Sequence, residues 1–231
     1  MRTNMKPEYA AVPKGGNQPR SSFQIGQRHL TSFFGGYLIP FYWTWVFPGD
    51  VLRGRFSAFV RAMAPLEFPL FDNMHLKIHS FFCPLRIIWD NARKFFGEQI
   101  NPGDSIAYTL PVIAGNNHDT NDVTATAGHM ALLRYLEVPA RTLAQNGING
   151  ADVGAAPLRA YTKIYNHEYR DQNMVNSWTE NTDDGPDTLT DYSLYAIGKR
   201  HDYFTSLLTA PQKGDAVPLA MDVRTAARSE E

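Results

Sequence analysis

The sequence has 231 residues, of which 43% are hydrophobic and 13% aromatic, so it can form one good-sized domain or two small ones. This composition excludes a chain that is disordered throughout. Its 22 Lys and Arg residues nearly balance 23 Asp and Glu residues, and a formal net charge of −1 argues against a dedicated nucleic-acid-binding domain.

Residues 1–34 are predicted to form a basic N-terminal arm. Residues 1–30 hold five Lys and Arg residues and one acid, Glu8, a net charge of +4, and Pro and Gly residues interrupt regular structure there. An arm that contacts nucleic acid and an ordinary flexible terminus are equally compatible with this pattern. No apolar segment of a secretory signal follows Met1, and no run approaches the roughly 18 apolar residues of a membrane span. We therefore expect a soluble, cytoplasmic protein that makes no membrane contact.

Strands are predicted for much of the next part. Residues 37–47 are rich in aromatic and β-branched side chains, Pro48 and Gly49 indicate a turn, and residues 51–60 partly alternate. Further β segments are predicted at residues 65–71 and 75–83, ending at Pro84. Core packing is the main expectation for the aromatic residues Tyr42, Trp43 and Trp45, with stacking on nucleobases as the alternative.

Helices are predicted within the later connections. Their ranges are about 88–97, with Gly97 as C-cap, then 127–138, and 157–170, with Pro157 in the first turn. The last carries an apolar stripe of Leu158, Tyr161, Ile164, Tyr165 and Tyr169. Residues 171–191 hold six acids and no Lys or Arg, which predicts a polar loop. The pattern favours a mainly β fold, a β-sandwich or jelly roll with long loop insertions that contain α-helices.

Signatures of catalysis are scarce. The sequence has no phosphate-binding glycine loop, no nucleophile elbow and no paired-cysteine metal motif. His75 and His79 share a face of their predicted strand but lie roughly 13 Å apart along it, too far to share one metal ion. Cys83, the only cysteine, is predicted to be a buried, inert thiol. We therefore expect no catalytic residues, no cofactor and no metal ion.

Several runs together resemble the major capsid protein of microviruses, in particular of the gokushovirus-like branch. In order, these runs are LIPF (38–41) with FPGD (47–50), FDNMHLKIHSFFCPLR (71–86), IWDNARKFFGE (88–98), PLRAYTKIYN (157–166) with YRDQN (169–173), and GKRHDYFTS (198–206) with PQKGD (211–215). Each run is short, but five in the same order cover most of residues 35–217.

The resemblance implies a viral jelly roll that tiles a small icosahedral shell around circular single-stranded DNA. Residues 35–231 would form the N-terminal part of this capsid domain, an incomplete sandwich whose later strands lie further along the family's chain. The implied partners are other copies of the subunit, the packaged DNA and minor virion proteins, in a virion assembled in the host cytoplasm. The candidate DNA-facing residues are Lys14, Arg20 and Arg28, and the candidate subunit-contact residues are Lys199, Arg200, His201, Asp202, Tyr203 and Phe204.

Two other classes of protein remain as alternatives. A carbohydrate-binding β-sandwich would use Trp43, Trp45 or Trp178 as a sugar-stacking platform. A cupin-type metalloenzyme would need clustered His and carboxylate ligands, which the histidine positions do not offer.

Overall fold

The computed structural model describes residues 21–63, 68–69, 73–113, 127–138, 152–198 and 203. The chain divides into two units, Met1–Thr31 and Ser32–Glu231. The described part of the first unit, residues 21–31, contains no helix or strand and is largely exposed. The predicted arm at residues 1–34 and domain at residues 35–231 stay predictions.

The described residues of the second unit form short helices and one small sheet. Its elements are α1 (Leu85–Ile88), α2 (Ala92–Phe95), β1 (Val112–Ile113), α3 (Ala127–Tyr135), β2 (Val153–Gly154) and α4 (Ala156–Ile164), followed by a π-helical turn (Tyr165–Tyr169) and a 3₁₀ turn (Leu189–Asp191). β1 and β2 pair antiparallel, with Val112 opposite Gly154 and Ile113 opposite Val153. No helix in the described ranges is long and apolar enough to cross a membrane.

The predicted mainly β, jelly-roll fold is not confirmed in the part of the chain that the structure describes, where the only sheet is the β1–β2 pair. Within residues 37–63 and 73–83 there is no strand, only an isolated bridge at Tyr37. β propensity measures how well a side chain fits a pleated surface, whereas a strand exists only when a second segment takes up its hydrogen bonds. Tyr42, Trp43 and Trp45, expected in a core, are instead exposed.

The predicted helices correspond to helical structure. The range 88–97 contains α2 and only the last residue of α1, which begins three residues earlier than predicted, and Gly97 has the positive φ of 91° expected of its C-cap position. The range 127–138 contains α3, and 157–170 contains α4 and the π-helical turn that continues it. Pro157 lies in the first turn of α4, as predicted.

The core of the second unit forms around the apolar face of α4. Leu158, Tyr161 and Tyr165 of the predicted stripe are buried, whereas Ile164 and Tyr169 are half-buried. The buried residues of this cluster come from four parts of the chain: Ile113; Leu132, Leu133 and Leu136; Ala155, Leu158, Tyr161 and Tyr165; and Leu189, Tyr192 and Tyr195. The ring of Tyr195 stacks on Tyr161 at a centroid distance of 5.3 Å and lies 4.5 Å from Tyr165. The core therefore joins α3 and α4 to residues 189–195.

A buried ion pair fastens α4 to the acidic segment that follows it. Nε and Nη2 of Arg159 donate to the two carboxylate oxygens of Asp187 at 2.7 Å and 2.5 Å, and Tyr192 donates to the same carboxylate. Nη1 of Arg159 also donates to the carbonyl oxygens of Ile88 and Asp183, at 3.1 Å and 2.8 Å. Burial disfavours the charge on Arg159, but the hydrogen bonds and charge of Asp187 outweigh it, and the pKa of Arg159 is raised.

The acidic segment also holds the break between α1 and α2. The indole Nε1 of Trp89 and the amide of Asn91 both donate to Asp184, at 2.6 Å and 3.0 Å. The Asp90 N–H donates to the Thr182 carbonyl at 2.9 Å. Residues 182–187 thus pack against the helices. The prediction of a merely polar loop at 171–191 is wrong at this end, because Asp184 and Asp187 accept hydrogen bonds from the buried side chains of Trp89 and Arg159.

We predict that Arg159→Met destabilises the second unit by about 3–5 kcal/mol, because Asp187 would then be a buried charge without its cation. Urea unfolding followed by circular dichroism measures this change. Arg134→Met on the exposed side of α3 is the matched control and should change stability by less than about 0.5 kcal/mol. Similar losses in the two variants would contradict the assignment.

Stability should also fall above pH 10. Burial raises the pKa of Tyr161 and of Tyr192 above the ordinary value of 10.0, so the folded chain keeps phenolic protons that the unfolded chain releases. The contribution is complete below pH 10 and is lost as the pH rises further. Unfolding midpoints measured between pH 8 and pH 11 should show this decline, which should be smaller in Tyr161→Phe.

Candidate interaction surface

The predicted subunit-contact residues are described at one position. Tyr203 is 88% exposed. Lys199, Arg200, His201, Asp202 and Phe204 lie outside the described residues, as do the DNA-facing candidates Lys14 and Arg20; Arg28 is described and exposed. Both sets of candidates stay predictions.

The chain enters residues 199–204 from a fixed segment. Residues 195–197 run antiparallel to residues 36–38, which brings together two parts of the second unit that are far apart in sequence. The pairing consists of a Leu38 N–H donating to the Tyr195 carbonyl at 3.0 Å, an Ile197 N–H donating to the Gly36 carbonyl at 2.8 Å, and a bridge between Tyr37 and Ala196. Residues 195–197, which come shortly before the predicted contact run in sequence, therefore have a defined place beside residues 36–38.

Gly198 is the last residue of this fixed segment, and it packs directly against backbone. Its N–H donates to the Tyr169 carbonyl oxygen at 3.0 Å. A Cβ atom placed on Gly198 would lie 3.1 Å from that oxygen and 3.1 Å from the Asp171 nitrogen. These contacts are with main-chain atoms, which cannot rotate away as a side chain can. Close approach therefore favours glycine at this position, because any larger residue would require the backbone around it to shift by a few tenths of an ångström.

Tyr169 connects the same place to the segment before α1. Its hydroxyl hydrogen-bonds Nδ1 of His79 at 2.6 Å, and the two rings stack with centroids 5.8 Å apart. The ring of Phe81 meets the ring of Tyr169 edge-on at 6.0 Å. Burial, and then the charge of Glu168, raise the pKa of Tyr169, so its hydroxyl remains protonated at neutral pH. Residues 79–81 are thereby held against the end of the π-helical turn.

Much of the second unit before α1 presents apolar side chains to solvent. Isolated exposed apolar residues are ordinary, whereas a long series of them is typical of an interaction surface. We call the exposed large apolar residues between 37 and 82 the open apolar surface: Tyr37, Tyr42, Trp43, Trp45, Val46, Phe47, Val51, Leu52, Phe56, Phe59, Val60, Met63, Phe68, Met74, Leu76, Ile78, Phe81 and Phe82. Aromatic residues, which are enriched in the cores of protein interfaces, make up half of the set.

Metal-binding geometry does not occur in the described ranges, where no three His, Cys, Asp or Glu side chains are grouped as ligands. His79 contacts Tyr169, and His167 lies 2.8 Å from the neighbouring Glu168 on an exposed turn. His118 lies outside the described residues. The chemistry that this surface offers is therefore burial of apolar area and pairing of exposed charges.

Cys83 lies at the edge of the open apolar surface and is half-buried rather than fully buried. Burial raises the pKa of its thiol, while the charge of Lys163 acts in the opposite direction. The thiol is therefore protonated at neutral pH, which favours the predicted inert role over that of a nucleophile.

Comparison with known proteins assigns the sequence to a family. The family described as Capsid protein (F protein) matches residues 11–230, nearly the whole chain. The chain belongs to this family. Membership agrees with the resemblance to microvirus capsid proteins and favours a structural role over the carbohydrate-binding and metalloenzyme alternatives.

Three relatives of the chain carry the name Capsid protein VP1. The chain is 37% identical to the protein of Bdellovibrio phage phiMH2K over 214 residues, which are 91% of the chain and 37% of the relative. It is 31% identical to that of Chlamydia phage 1 (94% of the chain, 37% of the relative) and 30% identical to that of Spiroplasma virus 4 (87% and 36%). The chain thus spans little more than a third of the length of these relatives.

Two features of the surface were missed by reasoning from sequence. The pairing of residues 36–38 with residues 195–197 could not be predicted from local sequence patterns, because the two segments are separated by most of the chain. The exposed arginine residues Arg53 and Arg55 were visible in the alternation of residues 51–60, but the pattern was interpreted only as a strand.

Replacing Gly198 with Ala should destabilise the second unit by about 1–3 kcal/mol, because the new methyl group would press on the backbone at Tyr169 and Asp171. Gly154→Ala is the control, since its added Cβ would meet no atom within 4 Å. Urea unfolding compares the two variants. Equal stability of both would show that residue 198 has more room than the distances indicate.

Proposed function

We propose that this chain is part of the major capsid subunit of a microvirus and that it acts by binding other copies of the subunit. The observation that carries the proposal is the match of residues 11–230 to the capsid family. Three relatives named as capsid proteins also align with most of the chain. In this proposal the assembled product is a small icosahedral shell around circular single-stranded DNA. The protein has no catalytic role and is located in the virion after assembly in the host cytoplasm.

The open apolar surface supports an assembly role. A series of exposed aromatic and aliphatic side chains gains free energy when another protein surface removes it from water, roughly 25 cal/mol for each Å² of apolar area buried. The viral jelly roll belongs to this proposal: residues 37–47, 51–60 and 75–83 have strand-forming sequences, and they would become strands when further segments or further subunits supply hydrogen-bonding partners.

Residues 199–204 are the proposed contact between subunits. Two observations support this proposal: Gly198, the residue before the run, hydrogen-bonds the Tyr169 carbonyl, and Tyr203 is almost fully exposed. Tyr and Arg are the residues most often found at the energetic centre of protein interfaces. Lys14, Arg20 and Arg28 remain the proposed contacts of the arm with packaged DNA, and minor virion proteins the proposed further partners.

Assembly can be tested by expressing the chain, alone and together with the polypeptides encoded on either side of it, and imaging the product by electron microscopy. The expected result is closed particles of icosahedral symmetry that contain nuclease-protected single-stranded DNA. A stable monomer in both preparations, even at high concentration, would overturn the capsid assignment.

The contact run can be tested at Tyr203. Tyr203→Ala should raise the protein concentration needed for particle formation about tenfold, as expected when an interface anchor worth 1–2 kcal/mol is lost, without changing the unfolding midpoint. Ile100→Ala is the matched control, because Ile100 is also 88% exposed. Light scattering over a concentration series measures the threshold. An unchanged threshold for Tyr203→Ala would remove residue 203 from the interface.

A further inference from the structure

A tight turn joins two segments of the open apolar surface. The Asp50 N–H donates to the Phe47 carbonyl at 3.0 Å, and the Asp50 carboxylate accepts the Phe47 N–H at 3.2 Å. Between them Gly49 has a φ of 89°, which a side chain would disfavour. Beyond the turn, the rings of Phe41 and Phe56 meet edge-on at 5.9 Å. Residues 41–47, the aromatic leg, and residues 51–61, the arginine leg, therefore lie side by side.

The arginine leg carries three cations, Arg53, Arg55 and Arg61, at positions of the same parity. All three are exposed, and no ion pair with an acid occurs for them in the part of the chain that the structure describes. Asp50, the one acid between residues 37 and 63, is used within the turn. The turn and its two legs, residues 41–61, thus have a local net charge of +2 (three arginines and Asp50), in contrast to −1 for the whole chain. Such a surface is complementary to an anionic ligand.

The aromatic leg indicates what kind of anion this is. Trp43 and Trp45 are 46% and 52% exposed, and their rings meet edge-on at 6.2 Å. Nε1 of Trp43 donates to the Leu136 carbonyl at 3.4 Å, which connects this ring to the end of α3. Exposed aromatic rings beside basic side chains bind single-stranded nucleic acid, because the bases stack on the rings while the phosphates pair with the cations. An acidic peptide has no bases for such rings to stack on.

We propose that the arginine leg and the Trp43–Trp45 pair form a binding site for single-stranded nucleic acid. Arg53, Arg55 and Arg61 contact phosphates, and the two indole rings stack on bases without reading sequence. This site assigns Trp43 and Trp45 to nucleic acid and leaves the other side chains of the open apolar surface for contacts between subunits. It is distinct from the arm residues Lys14, Arg20 and Arg28. The inference deepens the proposed capsid function, on which it rests, by assigning the inner, DNA-facing side of the subunit to this turn and its two legs.

The first test is the salt dependence of binding to an unstructured oligodeoxythymidine, with the full chain and the triple variant Arg53→Gln/Arg55→Gln/Arg61→Gln. Each phosphate contact to a single strand contributes about 0.7 to the slope of log K against log[salt], so the triple variant should lower the slope by about 2. Arg86→Gln/Arg93→Gln/Arg134→Gln removes the same charge from exposed positions on the helices and should leave most of the slope intact. Equal effects of the two triple variants would overturn the site.

Two further measurements separate binding from folding. The variant Arg53→Lys/Arg55→Lys/Arg61→Lys keeps the charges and should keep the slope, so a loss in both triple variants at these positions would mean that the fold, and not phosphate contact, requires arginine. Tryptophan fluorescence should be quenched by the oligonucleotide but not by heparin, an anionic polymer without bases, and Trp43→Phe/Trp45→Phe should lose most of the quenching. Equal quenching by heparin would exclude base stacking.

Failure of this inference is distinguishable from failure of the capsid function. If the glutamine variant forms normal particles and binds the oligonucleotide with an unchanged slope, the site is wrong and the capsid role stands. If the unmodified chain binds the oligonucleotide as predicted but never forms particles, the nucleic-acid site stands and the capsid role is contradicted. If the unmodified chain does not bind the oligonucleotide, the proposed site is excluded outright.

Discussion

The contact between Arg159 and Asp187 determines how the described part of the second unit is arranged. One guanidinium group reaches the acidic segment, through Asp187 and Asp183, and the end of α1, through the Ile88 carbonyl. Both partners of the pair are almost completely buried. A buried ion pair is a weak source of net stability, but an unpaired buried charge is costly, so the pair permits few alternative arrangements of the segments around it. The tyrosine cluster of the core lies beside this contact, since Tyr192 donates to the Asp187 carboxylate.

The described residues of the second unit fall into two groups, a buried core and the open apolar surface. Residues from Leu85 onward supply most of the buried side chains, whereas the segments before α1 supply aromatic, aliphatic and basic side chains that face solvent. The two parts are joined at a few defined places, such as the stack of His79 on Tyr169 and the pairing of residues 36–38 with 195–197. An exposed surface held on a fixed core suits a protein whose role is to contact other molecules.

Local features of the sequence predicted local structure well. Pro157, Gly97 and the turn at residues 48–50 act through backbone preferences that neighbouring residues alone determine, and all three occupy the positions expected of them. Features that depend on distant partners were predicted poorly. The strands expected before α1 need hydrogen-bonding partners from elsewhere, and the burial of Asp187 depends on a guanidinium group 28 residues away. The family resemblance was confirmed. It rested on short motifs in a fixed order, and such motifs can be recognised without knowledge of any tertiary contact.

The pairing of residues 36–38 with residues 195–197 bears on how the protein is made. A ribosome that has finished the aromatic segments near residue 45 must still add about 150 residues before Ala196 emerges to meet Tyr37. At roughly 5–20 residues per second, that interval is on the order of ten seconds. During this time the Trp and Phe side chains of the nascent chain are not buried in any core of its own. Exposed apolar segments of this kind make a nascent chain prone to aggregation, so slower synthesis lengthens the interval in which neighbouring nascent chains can associate.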